Sequence, residues 1–156
     1  MYSPIENVDL IMSGTFLDPV YDSFTGSSFG DLSGTKPSNI AEDTISTSVT
    51  WNWNMNGWEG YSRLSHLYSS EAALLESPVG QAYIESQGNG FRKMDTLNFS
   101  VGIEKENLSI SIYGQNINND EYLTSAFVAV ADLSGETYFG YPNNYATYGL
   151  NINYTF

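Results

Sequence analysis

Residues able to carry catalysis or bind a metal are few in this chain. His66 is the only histidine among 156 residues and cysteine is absent, which excludes a multi-histidine or cysteine-based metal site. The acidic pairs Glu42-Asp43 and Asp120-Glu121 lie in loop-like segments, where solvation is the main expectation and Ca²⁺ ligation the alternative. Neither Ser33-Gly34 nor Ser134-Gly135 has a nucleophile-elbow context. The sequence therefore predicts no enzyme, no bound metal and no cofactor.

One aromatic and amide-rich segment near the end of the chain has a composition suited to contacting a ligand. Its members are Tyr138, Phe139, Tyr141, Asn143, Asn144 and Tyr145. Aromatic faces and amide hydrogen bonds are the usual means of holding a small molecule. The same side chains could instead pack the loop onto itself, and both interpretations stay open.

Composition restricts the class of partner. The formal net charge is −13, with only five Lys and Arg, which argues against nucleic acid and against an anionic headgroup surface. Charged residues make up 15% of the chain and aromatic residues another 15%, whereas soluble domains carry about 25% charged residues. This mixture predicts a surface that is partly lipid-facing and partly a polar, uncharged lumen. No apolar run is long enough for a transmembrane helix, and the N-terminus lacks the pattern of a signal peptide.

Apolar and polar residues alternate with a period of two in six segments, so the sequence predicts that strands position the residues discussed above. The predicted strands are Val8–Phe16, 44–53, 57–69, 95–104, 108–117 and 148–156. In the last of them Tyr148, Leu150, Ile152, Tyr154 and Phe156 form an apolar row opposite small or polar residues. No Asp, Glu, Lys or Arg falls on the apolar face assigned to any strand.

The connections alternate strictly between short and long. Segments 54–57 and 105–107 are tight turns, whereas 17–43, 70–94 and 118–147 are roughly 25 residues each against a usual loop of about 4–6. Short turns on one side and long loops on the other are typical of outer-membrane barrels. Trp51, Trp53 and Trp58 flank one turn and are predicted to form an interfacial girdle, with Tyr122 among the residues of a second girdle. The alternative is a β-sandwich core built from the same aromatic residues.

Three stretches of this sequence resemble the TonB-dependent receptors of the Gram-negative outer membrane. Residues 116–123, NINNDEYL, are similar to the family segment N-[LI]-x-[ND]-[DE]-x-Y-[LI]. Tyr141-Pro142 followed by YGLNINYTF at 148–156 is similar to the family's terminal strand. Asp31-Leu32-Ser33-Gly34 with Pro37 and Asn39 resembles its D-x-SG-x-x-x-P-N loop. The link at 143–147, NNYAT, departs from the shorter, usually Arg-containing link of the family.

The resemblance implies an all-β, antiparallel up-and-down meander of about six transmembrane strands within a 22-stranded barrel. Residues 1–156 would be the C-terminal barrel segment of a receptor that imports a ferric siderophore or another large scarce nutrient. Its partners would be outer-membrane lipid, the plug and earlier strands, the barrel-assembly machinery, and TonB through a missing N-terminal part. The apolar row ending at Phe156 would serve as the assembly signal, and the signal peptide would be absent from this segment.

Six strands alone leave unpaired edges, so this chain by itself is not expected to transport. The alternative function is a soluble or secreted β-sandwich or small β-barrel module that binds a sugar or a small apolar ligand.

Overall fold

The computed structural model describes residues 2–128 and 138–156, so Ser134-Gly135 lies outside the described residues. The described chain is mostly antiparallel β-sheet with one short helix, which confirms the predicted all-β class. The elements in chain order are β1 Tyr2–Ile5, β2 Val8–Phe16, β3 Asp43–Met55, β4 Trp58–Ala73, α1 Pro78–Ser86, β5 Phe91–Lys105, β6 Leu108–Gln115, β7 Leu123–Val128, β8 Tyr138–Pro142 and β9 Thr147–Tyr154.

Seven strands form one antiparallel sheet in the order β1-β2-β3-β4-β5-β6-β9, and β7 and β8 form a separate two-stranded ribbon. Every predicted strand is present, and the last strand pairs with β6. Short turns and long links alternate along the meander. The turn between β3 and β4 has positive φ at both Asn56 (52°) and Gly57 (76°), which is the geometry that the right-handed strand twist favours in a two-residue hairpin.

The strand register joins the predicted apolar rows into one continuous face. Leu10 pairs with Val49, Val49 with Leu64, and Leu64 with Phe99. The row continues through Gly114 to Tyr148. Because neighbouring partners point to the same side of a sheet, all six predicted strands present their apolar rows to one side. We call this side the apolar face and the opposite side the polar face.

Charged residues do occur on the apolar face, at its two ends, so the expectation of none is wrong there. Asp43 pairs with Phe16 and Asp95 with Tyr68 at the end near the long links, and Lys105 pairs with Leu108 at the turn end. These positions exist because the strands begin earlier or end later than their apolar cores. Between the two ends, the described apolar face carries no Asp, Glu, Lys or Arg.

Aromatic rings cover glycines across four successive strand pairs. The cross-strand partners are Trp53 with Gly60, Tyr61 with Gly102, Phe99 with Gly114 and Tyr113 with Gly149. A Cβ atom at any of these glycines would lie 2.3 to 2.4 Å from a ring carbon of its partner. Each ring therefore lies flat over the neighbouring strand, which fixes register and ring orientation together.

The sequence analysis missed β1, α1 and the β7–β8 ribbon. Helix α1 begins because the Ser77 hydroxyl oxygen accepts a hydrogen bond from the Gly80 N–H at 3.2 Å and Pro78 stands in the first turn. The edge strand β1 contains Pro4, which is tolerated where no outer neighbour needs its N–H.

The buried apolar cluster lies among the long links and not on the large sheet. Its buried members are Leu74, Leu75 and Ile84, the last of these on α1. Leu123 of β7 and Tyr138 of β8 pack against it. The link 70–94 and the ribbon therefore fold together above one end of the sheet.

Candidate ligand groove

The first long link is tied to the second through one carboxylate, Glu76. Its two oxygens accept hydrogen bonds from the Tyr21 hydroxyl at 2.6 Å and the Ser38 N–H at 3.1 Å. Burial alone would raise the pKa of this carboxyl, but the hydrogen bonds from Ser38 and Tyr21 outweigh it and hold the pKa below its ordinary value. The Asn39 N–H also donates to the Ala73 carbonyl oxygen at 2.7 Å.

The segment that resembles the family's D-x-SG loop is a compact turn in this structure. The Asp31 carboxylate accepts from the Ser33 N–H at 2.9 Å, and the Ser33 hydroxyl oxygen accepts from the Phe24 N–H at 2.8 Å. Hydrogen bonds from the Ser33 hydroxyl and N–H lower the pKa of Asp31. Leu32, which lies between Asp31 and Ser33 in the sequence, is buried. The motif therefore builds the loop and leaves little free to bind a ligand.

Asn116 ends β6 and is the centre of a second network. Its φ is 50°, and its side chain is 7% exposed. The amide nitrogen donates to the carbonyl oxygens of Asp120 (2.9 Å) and Asn144 (3.0 Å), and the amide oxygen accepts from the Asp120 N–H at 2.8 Å. Its own N–H donates to the Asn98 side-chain oxygen at 2.8 Å. One buried amide thus joins β5, the end of β6 and the last link.

The residues after Asn116 replace the β-ladder where β6 stops pairing with β5. The Asn118 side-chain oxygen accepts from the Leu97 N–H at 2.9 Å, and the Asp120 carboxylate accepts from the Asp95 N–H at 2.7 Å. These side chains satisfy backbone donors of β5 that no strand neighbour reaches. Asp95 also contacts the only histidine, His66, whose Nε2 lies 2.5 Å from its carboxylate.

Asn143 is used structurally, although it was a ligand candidate. Its backbone N–H donates to the Tyr122 carbonyl oxygen (2.9 Å), its side-chain oxygen accepts from the Tyr122 N–H (3.0 Å), and its amide nitrogen donates to the Asp120 carbonyl oxygen (2.7 Å). The Asn119 side-chain oxygen holds the Ala146 N–H at 3.1 Å. The last link is therefore anchored at both its ends.

The networks around Asn116 and Asn143 border an open groove of about 690 Å³ on the polar face, at the end where the long links meet. Its walls come from β4, β5, β6, β9 and the last link. The lining residues are Arg63, Ser65, Thr96, Asn98, Phe99, Ser100, Tyr113, Gly114, Gln115, Asn116, Tyr122, Thr124, Pro142, Asn143, Asn144, Tyr145 and Thr147. Arg63 is the one charged side chain among them, and no carboxylate lines the groove.

Three of the six predicted ligand candidates, Asn143, Asn144 and Tyr145, line this groove. Asn144 and Tyr145 have exposed side chains with no hydrogen-bond partner within the described residues. Gln115 and Tyr113, which the sequence analysis did not select, also line it. The sequence could have identified both residues, because both fall on the polar row of β6.

The other three candidates lie elsewhere. Tyr138 belongs to the loop core, where its ring centroid is 6.2 Å from that of Tyr83 in an edge-on arrangement. Phe139 and Tyr141 are exposed on the opposite side of the ribbon, with ring centroids 5.4 and 5.8 Å from Phe127. Packing of the loop onto itself thus describes Tyr138 and also Phe139 and Tyr141, and none of the three lines the groove.

The three tryptophans lie together on the apolar face at the turn end. The ring centroids of Trp51 and Trp53 are 6.5 Å apart, and the Trp53 indole N–H donates to the Ser62 hydroxyl at 3.4 Å. The Lys105 ammonium stands 5.8 Å from the Trp58 ring centroid. The three rings thus share one end of one face, and their role as an interfacial girdle stays a prediction. Tyr122 was expected in the second girdle, but it lines the polar-face groove, where its backbone pairs with Asn143.

The predicted assembly signal occupies the outer edge of the sheet. Tyr148, Leu150, Ile152 and Tyr154 share the apolar face of β9 and are 59 to 63% exposed. Phe156 follows the strand, and its ring stands edge-on to Tyr154 at 5.2 Å.

Comparison with protein families, with characterised proteins and with solved structures found no match to this chain. Among the described residues no helix has the length and apolar content needed to cross a membrane. Residues 2–128 and 138–156 contain no cluster of three or more His, Cys, Asp or Glu side chains suited to a metal ion.

Proposed function

We propose that this chain forms part of the wall of a Gram-negative outer-membrane β-barrel, as the C-terminal barrel segment of a TonB-dependent receptor that imports a ferric siderophore or another large scarce nutrient. The observation that carries the proposal is the continuous apolar face, which no other part of the described chain covers.

An uncovered apolar face is unfavourable in water. Trp51, Leu64, Leu150 and Ile152 are between 48 and 61% exposed, and fully burying a side chain such as Leu contributes about 1.5–3 kcal/mol. Soluble proteins rarely leave a contiguous patch of this kind open. Lipid chains would cover it, whereas the β-sandwich alternative needs a second sheet on this face.

The height of the apolar face suits a bilayer. On β4 the apolar face runs from Trp58 to Tyr68, with Leu64 between them and the small or polar Gly60, Ser62 and His66 in the same row. This row spans ten residues, or about 33 Å along a strand. Strands of outer-membrane barrels tilt by about 35–45°, so this length corresponds to a vertical band of roughly 25 Å, which is the usual height. Lys105 at one end and Asp43 and Asp95 at the other then lie at the level of the headgroups.

The sheet within the described residues is open, and this supports a segment of a larger barrel. β1 and β9 each have a single strand neighbour. Unpaired backbone groups in lipid cost several kcal/mol each, so both edges would pair with further receptor strands. The plug, TonB and the assembly machinery are the partners that this proposal requires, and the chain alone would not transport.

Tryptophan quenching tests the proposal directly. The chain is refolded into detergent micelles and then into vesicles of brominated lipid, and a variant with the three tryptophans changed to Phe and Tyr61→Trp reports on the polar face. We expect bromine to quench the wild-type chain strongly and iodide to quench the variant strongly. A chain that is monomeric without detergent, with tryptophans open to iodide, would contradict the proposal and favour the soluble binding module.

The assembly signal is tested separately in the receptor that carries this segment. Phe156→Asp, or a short extension after Phe156, should reduce the amount of receptor recovered from the outer membrane. Phe139→Asp, at another exposed aromatic position, is the control. If Phe156→Asp, the extended chain and Phe139→Asp are recovered in equal amounts, Phe156 does not act as an assembly signal.

A further inference from the structure

We infer that the groove on the polar face binds a neutral, polyhydroxylated ligand of the oligosaccharide class. This inference rests on the proposed function, because it takes the polar face as the wall of a lumen, and it narrows the nutrient to one chemical class.

Charge is the first argument. The chain carries 18 Asp and Glu against five Lys and Arg, so its field opposes an anionic ferric complex over a Debye length of about 8 Å. The groove itself has no carboxylate in its lining and a single cation, Arg63. The nearby Asp120 carboxylate is turned away and accepts from the Asp95 N–H. The lining is thus close to neutral, which matches an uncharged ligand better than a polyanion or a polycation.

Hydrogen-bonding capacity is the second argument. The side-chain amides of Gln115 and Asn144 and the hydroxyls of Ser65 and Ser100 line the groove without hydrogen-bond partners among the described residues. An amide offers two donors and an acceptor, and a hydroxyl acts as both. Sugar hydroxyls match this mixture. An apolar ligand would cover these groups and leave them unsatisfied, which costs about 1–3 kcal/mol for each.

The aromatic walls are the third argument. Tyr113, Tyr122 and Tyr145 line the groove from β6 and the last link. Tyr113 is held over Gly149, where a Cβ would lie 2.3 Å from its ring. Tyrosine presents an apolar ring face and a polar tip, so these rings suit the C–H faces of a pyranose beside its hydroxyls. The volume of about 690 Å³ falls within the usual range of ligand sites, about 300–1,000 Å³.

The test uses the whole chain in detergent micelles on a printed array of neutral, sulfated and uronic-acid oligosaccharides. Equilibrium dialysis follows with the best neutral glycan and with ferric tris(2,3-dihydroxybenzoate). We expect saturable binding of a neutral glycan that is unchanged by salt, and no binding of the ferric complex. Tyr145→Ala should weaken glycan binding by about tenfold or more. Tyr141→Ala, at an equally exposed tyrosine off the groove, should leave it within about twofold.

Arg63→Gln separates the two ligand classes. Gln keeps hydrogen-bonding groups at this groove position and removes only the charge, so neutral glycan binding should fall by less than it does in Tyr145→Ala. Binding of only sulfated glycans or the ferric complex, lost in Arg63→Gln, would overturn the inference, and so would the absence of any glycan binding. Tryptophan quenching by brominated lipid is measured on the same preparation. Normal quenching without glycan binding rejects the ligand class alone, whereas absent quenching rejects the barrel proposal.

Discussion

An arginine placed on either face of β9 gives the sharpest test of which side meets lipid. Leu150 lies on the apolar face opposite Ile112, and Asn151 lies on the polar face opposite Ser111. The two positions are adjacent, so strand propensity, edge position and distance from the C-terminus are nearly matched. Leu150→Arg and Asn151→Arg therefore differ chiefly in the medium that receives the new charge.

The magnitude follows from depth in the proposed bilayer. Leu150 is four residues from Tyr154, or about 13 Å along the strand and roughly 10 Å vertically at the usual tilt. In an apolar band about 25 Å tall this is close to the middle, where Arg costs about 2–4 kcal/mol. The folding equilibrium constant should fall by about 30- to 900-fold. Asn151→Arg faces the polar side and should change the free energy of unfolding by less than about 1 kcal/mol.

Urea titration of the chain in lipid vesicles measures both variants against wild type. Tryptophan emission is the signal, since Trp51, Trp53 and Trp58 share the apolar face. Equal losses in the two variants, or a larger loss for Asn151→Arg, would refute the assignment of this face to lipid. A large loss for Leu150→Arg in water without lipid would instead indicate burial in a soluble core.

Three further predictions concern the loop end and the ring-covered glycines. Asn116→Ala should destabilise the fold by about 3 kcal/mol in chemical denaturation, because three side-chain hydrogen bonds of about 1 kcal/mol each are lost. Asn116→Gly adopts the positive φ without strain but also lacks these hydrogen bonds, so it should recover only a minor part of the lost stability. Gly102→Ala should cost about 1–3 kcal/mol by displacing the Tyr61 ring, whereas Gly26→Ala, with no neighbour within 4 Å, should be neutral in the same melts. The folded-state pKa of Glu76 is lowered, so its stabilising contribution is complete above the ordinary value of 4.5 and is lost as pH falls through the folded value. Glu76→Gln should flatten the dependence of stability on pH in that acidic range, and an unchanged profile would show that the carboxylate does not link the two loops.

The sheet was predictable because strand periodicity is local. The row Tyr148, Leu150, Ile152, Tyr154 specifies its own face, and the register with β6 then follows from matching apolar rows. The ends of the strands were harder to predict, because the residues that end them do not belong to the alternating pattern. β6 stops at Gln115 because Asn116 adopts a positive φ. Its hydrogen bonds to Asp120 are local, but those to Asn98 and Asn144 join residues that are distant in sequence.

The loop end was not predictable to the same degree. Helix α1 has a capping Ser77 followed by Pro78, which are recognisable signals, but its short length gave weak periodicity. The groove is lined by residues far apart in the chain, such as Arg63 of β4 and Tyr145 of the last link. Asn144 and Tyr145 could be selected by residue type alone. Tyr138 could not be separated from them, because its burial against α1 exists only in three dimensions.

The residues that resemble a family segment and the residues that would choose a ligand are different, and the structure gives the physical reason. Asn118 and Asp120 satisfy backbone donors of β5, and Asn116 satisfies backbone groups of the last link. Changing any of the three would leave backbone donors or acceptors unpaired. A sequence pattern made of such positions is therefore informative about the fold and not about the ligand. The side chains of Gln115 and Asn144 lie beside these residues but make no hydrogen bond within the described part of the chain, so changing them should have a small cost to the fold. Under the proposed function, the choice of nutrient therefore depends on the groove side chains and not on the motif.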